Sequence, residues 1–162
     1  MSWSWRLATA PSRARRPPQP ENIVAGPGAK PFEQFFCEAF LNPGDDVLVF
    51  GPYFPTYVPN IERRGANIVY SALKQSNEFR PDLADVRKFL DTARSPKAIF
   101  LNSPHNPTGA MLSPEELEAL ADVSTRHDLW IISDEVYSSF VYTRPHHSPP
   151  APNNPETRPR RH

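Results

Sequence analysis

The sequence predicts an α/β fold in three layers, with helices on both faces of a mainly parallel sheet. Two patterns predict it. Short, mostly apolar runs recur along residues 21 to 142, each bounded by turn residues, as in strands buried on both faces. Between them lie segments whose apolar residues repeat at helical spacing. Alternation of this kind implies right-handed crossovers and parallel neighbours. No internal repeat interrupts it.

The strand runs are "NIVA" at 22 to 25, "DVLVF" at 46 to 50, "NIVY" at 67 to 70, "KAIFLN" at 97 to 102 and "LWIIS" at 129 to 133. The first helical stripe follows Pro31 and holds Phe32, Phe35, Phe36, Ala39 and Phe40, ending at "NPGD". A shorter helix is expected from Thr56 to Arg64, stopped by Gly65. Leu83, Val86, Phe89 and Leu90 form the next stripe after "RPD". The last helix is the best signed: Ser113, Pro114 and Glu116 make an S-x-x-E capping box with proline at the first helical position, followed by Leu117, Leu120 and Ala121.

Composition divides the chain. Of 162 residues, the first twenty hold four arginines and no acid, and the last twenty hold four arginines against Glu156. Removing these from the totals of 18 basic and 18 acidic residues leaves 10 against 17, so residues 21 to 142 form an acidic body between basic tails. The tails also hold ten of the 21 prolines and show no apolar periodicity, so neither can bury enough surface to offset its ordering entropy. The expected organisation is a disordered tail over 1–20, one domain over 21–142 and a second disordered tail over 143–162, where His146 and His147 count for little. A net charge of zero argues against nucleic acid or an acidic membrane as the main partner. Cys37 stands alone, which excludes a disulfide framework and a thiolate metal cluster. No run nears the roughly 20 apolar residues of a membrane span.

In a parallel sheet the segments after each strand converge on one edge, where ligands of open α/β folds bind. Here those segments are "GPGAK", "GPYFPTY", "NSPHNPTG" and "DEVY". In "GPGAK", backbone N–H groups with Lys30 suit a phosphate at a helix start, or the segment is a plain turn. Tyr53, Phe54 and Tyr57 either offer a flat face to a planar ligand or pack beneath the next helix. Asn102, His105 and Asn106 either hold a ligand oxygen or brace their own loop. Asp134 closes an apolar run, where an unpaired charge would cost several kcal/mol; it either caps a turn or meets something cationic. Glu135 is expected to face water. Jointly, the segments ask for a phosphate, a flat ring, an oxygen substituent near an amide and a phenol, and a basic nitrogen facing a buried carboxylate. Pyridoxal 5'-phosphate has all of these.

Through "NSPHNPTG" followed by "SDEVY", with "GAK" and "NPGDDVLVFGPYFPTY" upstream, the chain resembles the class I/II aminotransferases, fold-type I pyridoxal-phosphate enzymes typified by aspartate aminotransferase. The resemblance covers roughly residues 21 to 142 and implies a partial aminotransferase large domain. It implies that Gly28, Ala29 and Lys30 surround the cofactor phosphate, that Phe54 stacks on the pyridine ring, that Asn106 and Tyr137 reach the ring's phenolic oxygen, and that Asp134 pairs with the protonated ring nitrogen. It further implies transamination between an amino acid and a 2-oxo acid, homodimers and a cytoplasmic protein; no metal is expected, because no carboxylate or histidine recurs at ligand spacing with His105.

The family's Schiff-base lysine lies on a later strand, beyond the equivalent of "DEVY". Lys30, Lys74, Lys88 and Lys97 all lie elsewhere, so no catalytic residue is assigned and a truncated, inactive form is expected. Two sheet strands of the family have no counterpart here, so the expectation is that "NIVA" is separated from the other four strands and that two edges are left unpaired. The alternative function is a non-catalytic α/β module that binds a phosphorylated ligand or a partner chain.

Overall fold

The computed structural model describes residues 6–8 (backbone only), 20, 23–142 and 145–149. Its sheet has the order β1-β5-β4-β2-β3. The strands are β1 (Arg6–Ala8), β2 (Asp46–Gly51), β3 (Asn67–Ala72), β4 (Pro96–Asn102) and β5 (Trp130–Asp134); the helices are α1 (Lys30–Phe40), α2 (Tyr57–Glu62), α3 (Leu83–Thr92) and α4 (Pro114–Arg126). Strands β2 to β5 pair in parallel, and β1 alone runs antiparallel, along the outer edge of β5.

The α/β expectation holds, and period-two alternation explains the layers. On β2, Leu48 and Phe50 join Ile99, Leu101 and Ile131 against α3 and α4, packing on Val86, Phe89, Leu117 and Leu120. Val47 and Val49 face the other way with Ala98, Phe100 and Ile132, covered by Phe36, Cys37 and Leu41 of the α1 segment and Tyr57 and Ile61 of α2. Strands β2, β4 and β5 are therefore apolar on both faces, which is why they read as runs rather than alternations; β3, expected to be buried on both faces, is instead a half-buried edge strand with Tyr70 53% exposed. The capping box on α4 forms in both directions: Ser113 accepts from Glu116 N, and Glu116 accepts from Ser113 N.

Three further expectations need correction. "NIVA" is not a strand: residues 23 to 26 are irregular, and Ile23 and Val24 are 55% and 70% exposed. The edge beside β5 is not left bare, because β1 pairs with it over Arg6↔Ser133, Leu7↔Ile132 and Ala8↔Ile131, from a segment without apolar periodicity. The remainder of the two expected tails lies largely outside the described residues. Third, the buried stripe of α1 is Glu33, Phe36 and Cys37, while Phe35 is 55% exposed and Ala39 is also exposed. A glutamate, not a phenylalanine, leads the inward face.

Candidate active site

The segments after β2, β4 and β5 meet the "GPGAK" turn, which follows no strand, at the C-terminal edge of the parallel strands. A cavity of about 400 Å³ there is lined by Pro27, Gly28, Ala29, Lys30, Glu33, Phe54, Asn106, Asp134, Val136 and Tyr137. All seven residues named for the cofactor from the sequence, Gly28, Ala29, Lys30, Phe54, Asn106, Asp134 and Tyr137, are among them.

The turn before α1 is built for close approach. Gly28 holds φ +89°, a conformation that disfavours any side chain, and the space where a Cβ would stand is open. Ala29 caps α1 without a side-chain acceptor; Pro31 has no N–H and the Phe32 N–H goes to the Ala29 carbonyl, so the donor left at the helix start for an anion is the Lys30 N–H. Lys30 Nζ lies 5.4 Å from the centroid of the Phe54 ring, a cation over an aromatic face.

Asp134, 6% exposed, ends β5 at the cavity floor. Its Oδ2 accepts from Tyr57 Oη at 2.5 Å and its Oδ1 accepts from the Val136 N–H at 3.1 Å. Both donors are neutral. Burial holds this carboxyl above the ordinary carboxylate value, while the two hydrogen bonds pull it down. Burial likewise raises the Tyr57 phenol, with the Asp134 charge adding to it, so Tyr57 remains a donor. Asn106 Nδ2 donates to Tyr137 Oη at 3.3 Å, placing amide and phenol side by side on the cavity wall.

Other candidates stay outside. Asn102 braces its loop, donating to the carbonyls of Pro104 and Asp134 and accepting from the Asn106 N–H. His105 is buried with both ring nitrogens engaged, Nδ1 with Thr108 Oγ1 and Nε2 with the Pro52 carbonyl, and burial lowers its pKa. Both are structural. Tyr53 stacks on Tyr70 at 5.7 Å, away from the cavity lining. Glu135 corrects the sequence expectation: it does not face water but accepts from Ser133 Oγ and Ser148 Oγ and pairs with His146 Nε2 at 2.9 Å. His146, given little weight from its place in a polar tail, holds the chain after β5 against that carboxylate. Among the described residues no cluster of His, Cys, Asp and Glu could hold a metal ion.

Sequence reasoning missed two members of the site. The sequence offers Tyr57 only as a stacking or packing ring, whereas its hydroxyl is the partner of Asp134. Glu33, 1% exposed, lines the cavity and accepts a hydrogen bond from Thr56 Oγ1. The available signal was its position three residues before Phe36 and four before Cys37, which puts it on their face of the helix.

The sequence profile described as "Aminotransferase class I and II" matches residues 7–156. The chain belongs to this family. Among curated aminotransferases, it is 40% identical over 129 residues to arginine-pyruvate transaminase AruH of Pseudomonas aeruginosa, covering 80% of this chain and 32% of that protein. It is 38% identical over 133 residues to aspartate aminotransferase of Thermotoga maritima, covering 81% and 34%. The fold superposes on the crystal structure of aromatic aminotransferase from Pyrococcus horikoshii with a TM-score of 0.67 at 37% identity, covering 72% of this chain and 31% of that one. The Thermus thermophilus aspartate aminotransferase with maleate gives a TM-score of 0.67 at 37% identity, covering 74% and 31%. The chain thus spans about a third of the length of the relatives it matches. No described helix is long and apolar enough to cross a membrane.

Proposed function

We propose that the cavity holds pyridoxal 5'-phosphate and that the chain is the cofactor-binding part of an enzyme that transfers amino groups between an amino acid and a 2-oxo acid. One observation carries this: Asp134 is a buried carboxyl on the floor of a ligand-sized cavity whose hydrogen-bond partners are both neutral. Such a group is costly unless a cation meets it, and a protonated pyridine nitrogen is a cation of the right shape.

The remaining residues fit the group. The open turn at Gly28 and Ala29, with Lys30, takes the phosphate; Phe54 offers a ring face; Asn106 and Tyr137 together donate to the phenolic oxygen. When bound, the cofactor supplies an electron sink for cleavage of bonds at a substrate's Cα. Asp134 keeps the ring nitrogen protonated, and the paired amide and phenol fix the ring's tilt. The oxygen of Thr56, bonded to Glu33, ties the aromatic loop to α1 and so holds Phe54 at the cavity.

Titration of the purified chain with pyridoxal 5'-phosphate, followed by absorbance and by borohydride trapping, tests this reading. Saturable binding that Asp134→Ala and Tyr137→Phe both weaken is expected. Binding that depends on the phosphate alone and ignores Asp134 would favour a phosphate-binding module instead.

A further inference from the structure

Glu33 has no place in the cofactor contacts above, yet it lines the same cavity. It sits one turn into α1 from Lys30, 1% exposed, and accepts from the Thr56 hydroxyl. A carboxyl there sits among an unusual set of neighbours. On its own helix stand Lys30 and Cys37; α2 brings Tyr57, and β5 brings Asp134. Cys37, pushed up to about 12 by burial, and Tyr57, pushed higher still by its own burial, stay neutral. Lys30 is the one cation of the set, and its ammonium group lies over Phe54.

We propose that Glu33 sets the charge of this cavity: the site takes its anionic ligand with the Glu33 carboxyl protonated and loses affinity when that carboxyl ionises. The proposal rests on the reading of the cavity as a site for a phosphate-bearing cofactor. A carboxylate on the wall, close to Asp134, would repel the phosphate; a neutral carboxyl would not.

Burial pushes the Glu33 carboxyl up to about 7, the Asp134 charge adding to the rise and the Thr56 and Lys30 contacts opposing it. An incoming phosphate raises it further. In the interval between the free and bound values, binding takes up one proton, so affinity falls by up to about tenfold for each pH unit. Below roughly pH 6 the phosphate itself loses its second charge. Affinity therefore peaks between about pH 6 and 7.

Pyridoxine 5'-phosphate, which lacks the reactive aldehyde, is the probe, titrated calorimetrically from pH 6.5 to 8.5 against unphosphorylated pyridoxine. The wild-type Kd for the phosphate ester should rise about fivefold from pH 7 to 8, where the free carboxyl goes from about half to almost fully ionised. Glu33→Gln, which keeps an acceptor for Thr56, should flatten that rise to about threefold or less, and pyridoxine should show a smaller difference between the two proteins. The ring titration is common to both, so the difference between profiles reports Glu33 together with its coupling to Asp134. Thr56→Val removes a contact that lowers the Glu33 pKa, and should move the fall to higher pH. Parallel profiles for wild type and Glu33→Gln overturn the proposal. So does the absence of proton uptake by the wild type at pH 7.5, which decides the matter even where the variant fails to fold. A wild-type chain that binds neither compound at any pH defeats the cofactor reading itself, a result distinct from parallel profiles.

Discussion

Tyr57 Oη donates to Asp134 Oδ2 across 2.5 Å, joining the first residue of α2 to the last residue of β5. The bond keeps the free chain's buried carboxyl satisfied without supplying a charge. Tyr57→Phe should therefore strand Oδ2 and cost about 1–3 kcal/mol in urea unfolding at pH 7. Because this donor pulls the Asp134 pKa down, its loss should raise that pKa further. A carboxyl resonance followed by NMR would show the shift; an unchanged titration would mean that the bond contributes nothing.

Asp134 itself should be a liability in the free chain. Its folded pKa lies above its ordinary 3.8, so the folded state binds more protons than the unfolded state once pH exceeds about 4. Stability then falls as pH rises toward the folded value and stays reduced above it. Asp134→Asn should remove this slope and stabilise the free chain at pH 7 by on the order of 1 kcal/mol, while weakening pyridoxal 5'-phosphate about 10–100-fold through the lost charge-assisted bond. Thermal melts with and without cofactor check both halves. A variant less stable than wild type, or one binding equally well, contradicts the assigned role.

How much of this was readable from sequence follows from which interactions are local. The α4 start was legible because a capping box is encoded within four residues, Ser113 to Glu116. Strands β2, β4 and β5 were legible because both faces are buried, which leaves unbroken apolar runs, whereas β3 is a half-buried edge strand read from its β-branched residues. Phe54, Asn106, Asp134 and Tyr137 could be placed at one cavity because parallel topology delivers the ends of β2, β4 and β5 to one edge; Gly28, Ala29 and Lys30 reach it from a turn that follows no strand. The partners were not: Tyr57 and Asp134 are 77 residues apart, and Glu33 and Thr56 are 23 apart. "NIVA" misled because an apolar run becomes a strand only beside another strand, and Ile23 and Val24 have none beside them. Strand β1 was invisible for the opposite reason: a three-residue edge strand needs ladder partners and no periodicity of its own.

The capping box offers the simplest test of local encoding. Ser113→Ala removes the acceptor for Glu116 N at the start of α4, whose Leu117 and Leu120 are core residues. The expected loss is about 1 kcal/mol. Chemical denaturation should show a lower midpoint with an unchanged slope; a changed slope would mean that α4 frays rather than merely losing a cap.

Asp46 supports the far edge of the sheet in the way Asp134 burdens the near one. Its Oδ2 accepts from Arg94 N at 2.8 Å and Ser95 N at 2.9 Å, and its Oδ1 accepts from Asn67 Nδ2 at 3.0 Å, pinning the turn between α3 and β4 to the first residues of β2 and β3. Burial alone would raise this carboxyl, but the bonds from Ser95, Asn67 and Arg94 together hold it below its ordinary 3.8. The sign is thus opposite to that of Asp134: the contribution is present above the unfolded pKa and is lost as pH falls through the folded value. Asp46→Asn should cost about 1–3 kcal/mol at pH 7, since an amide cannot accept from all three donors and its own N–H₂ meets one of them. The penalty should begin to shrink below about pH 4, where the unfolded carboxyl protonates, and keep shrinking until the folded one does. Unfolding curves at pH 7 and pH 3 decide it, and an equal penalty at both would show that packing, not charge, makes Asp46 matter.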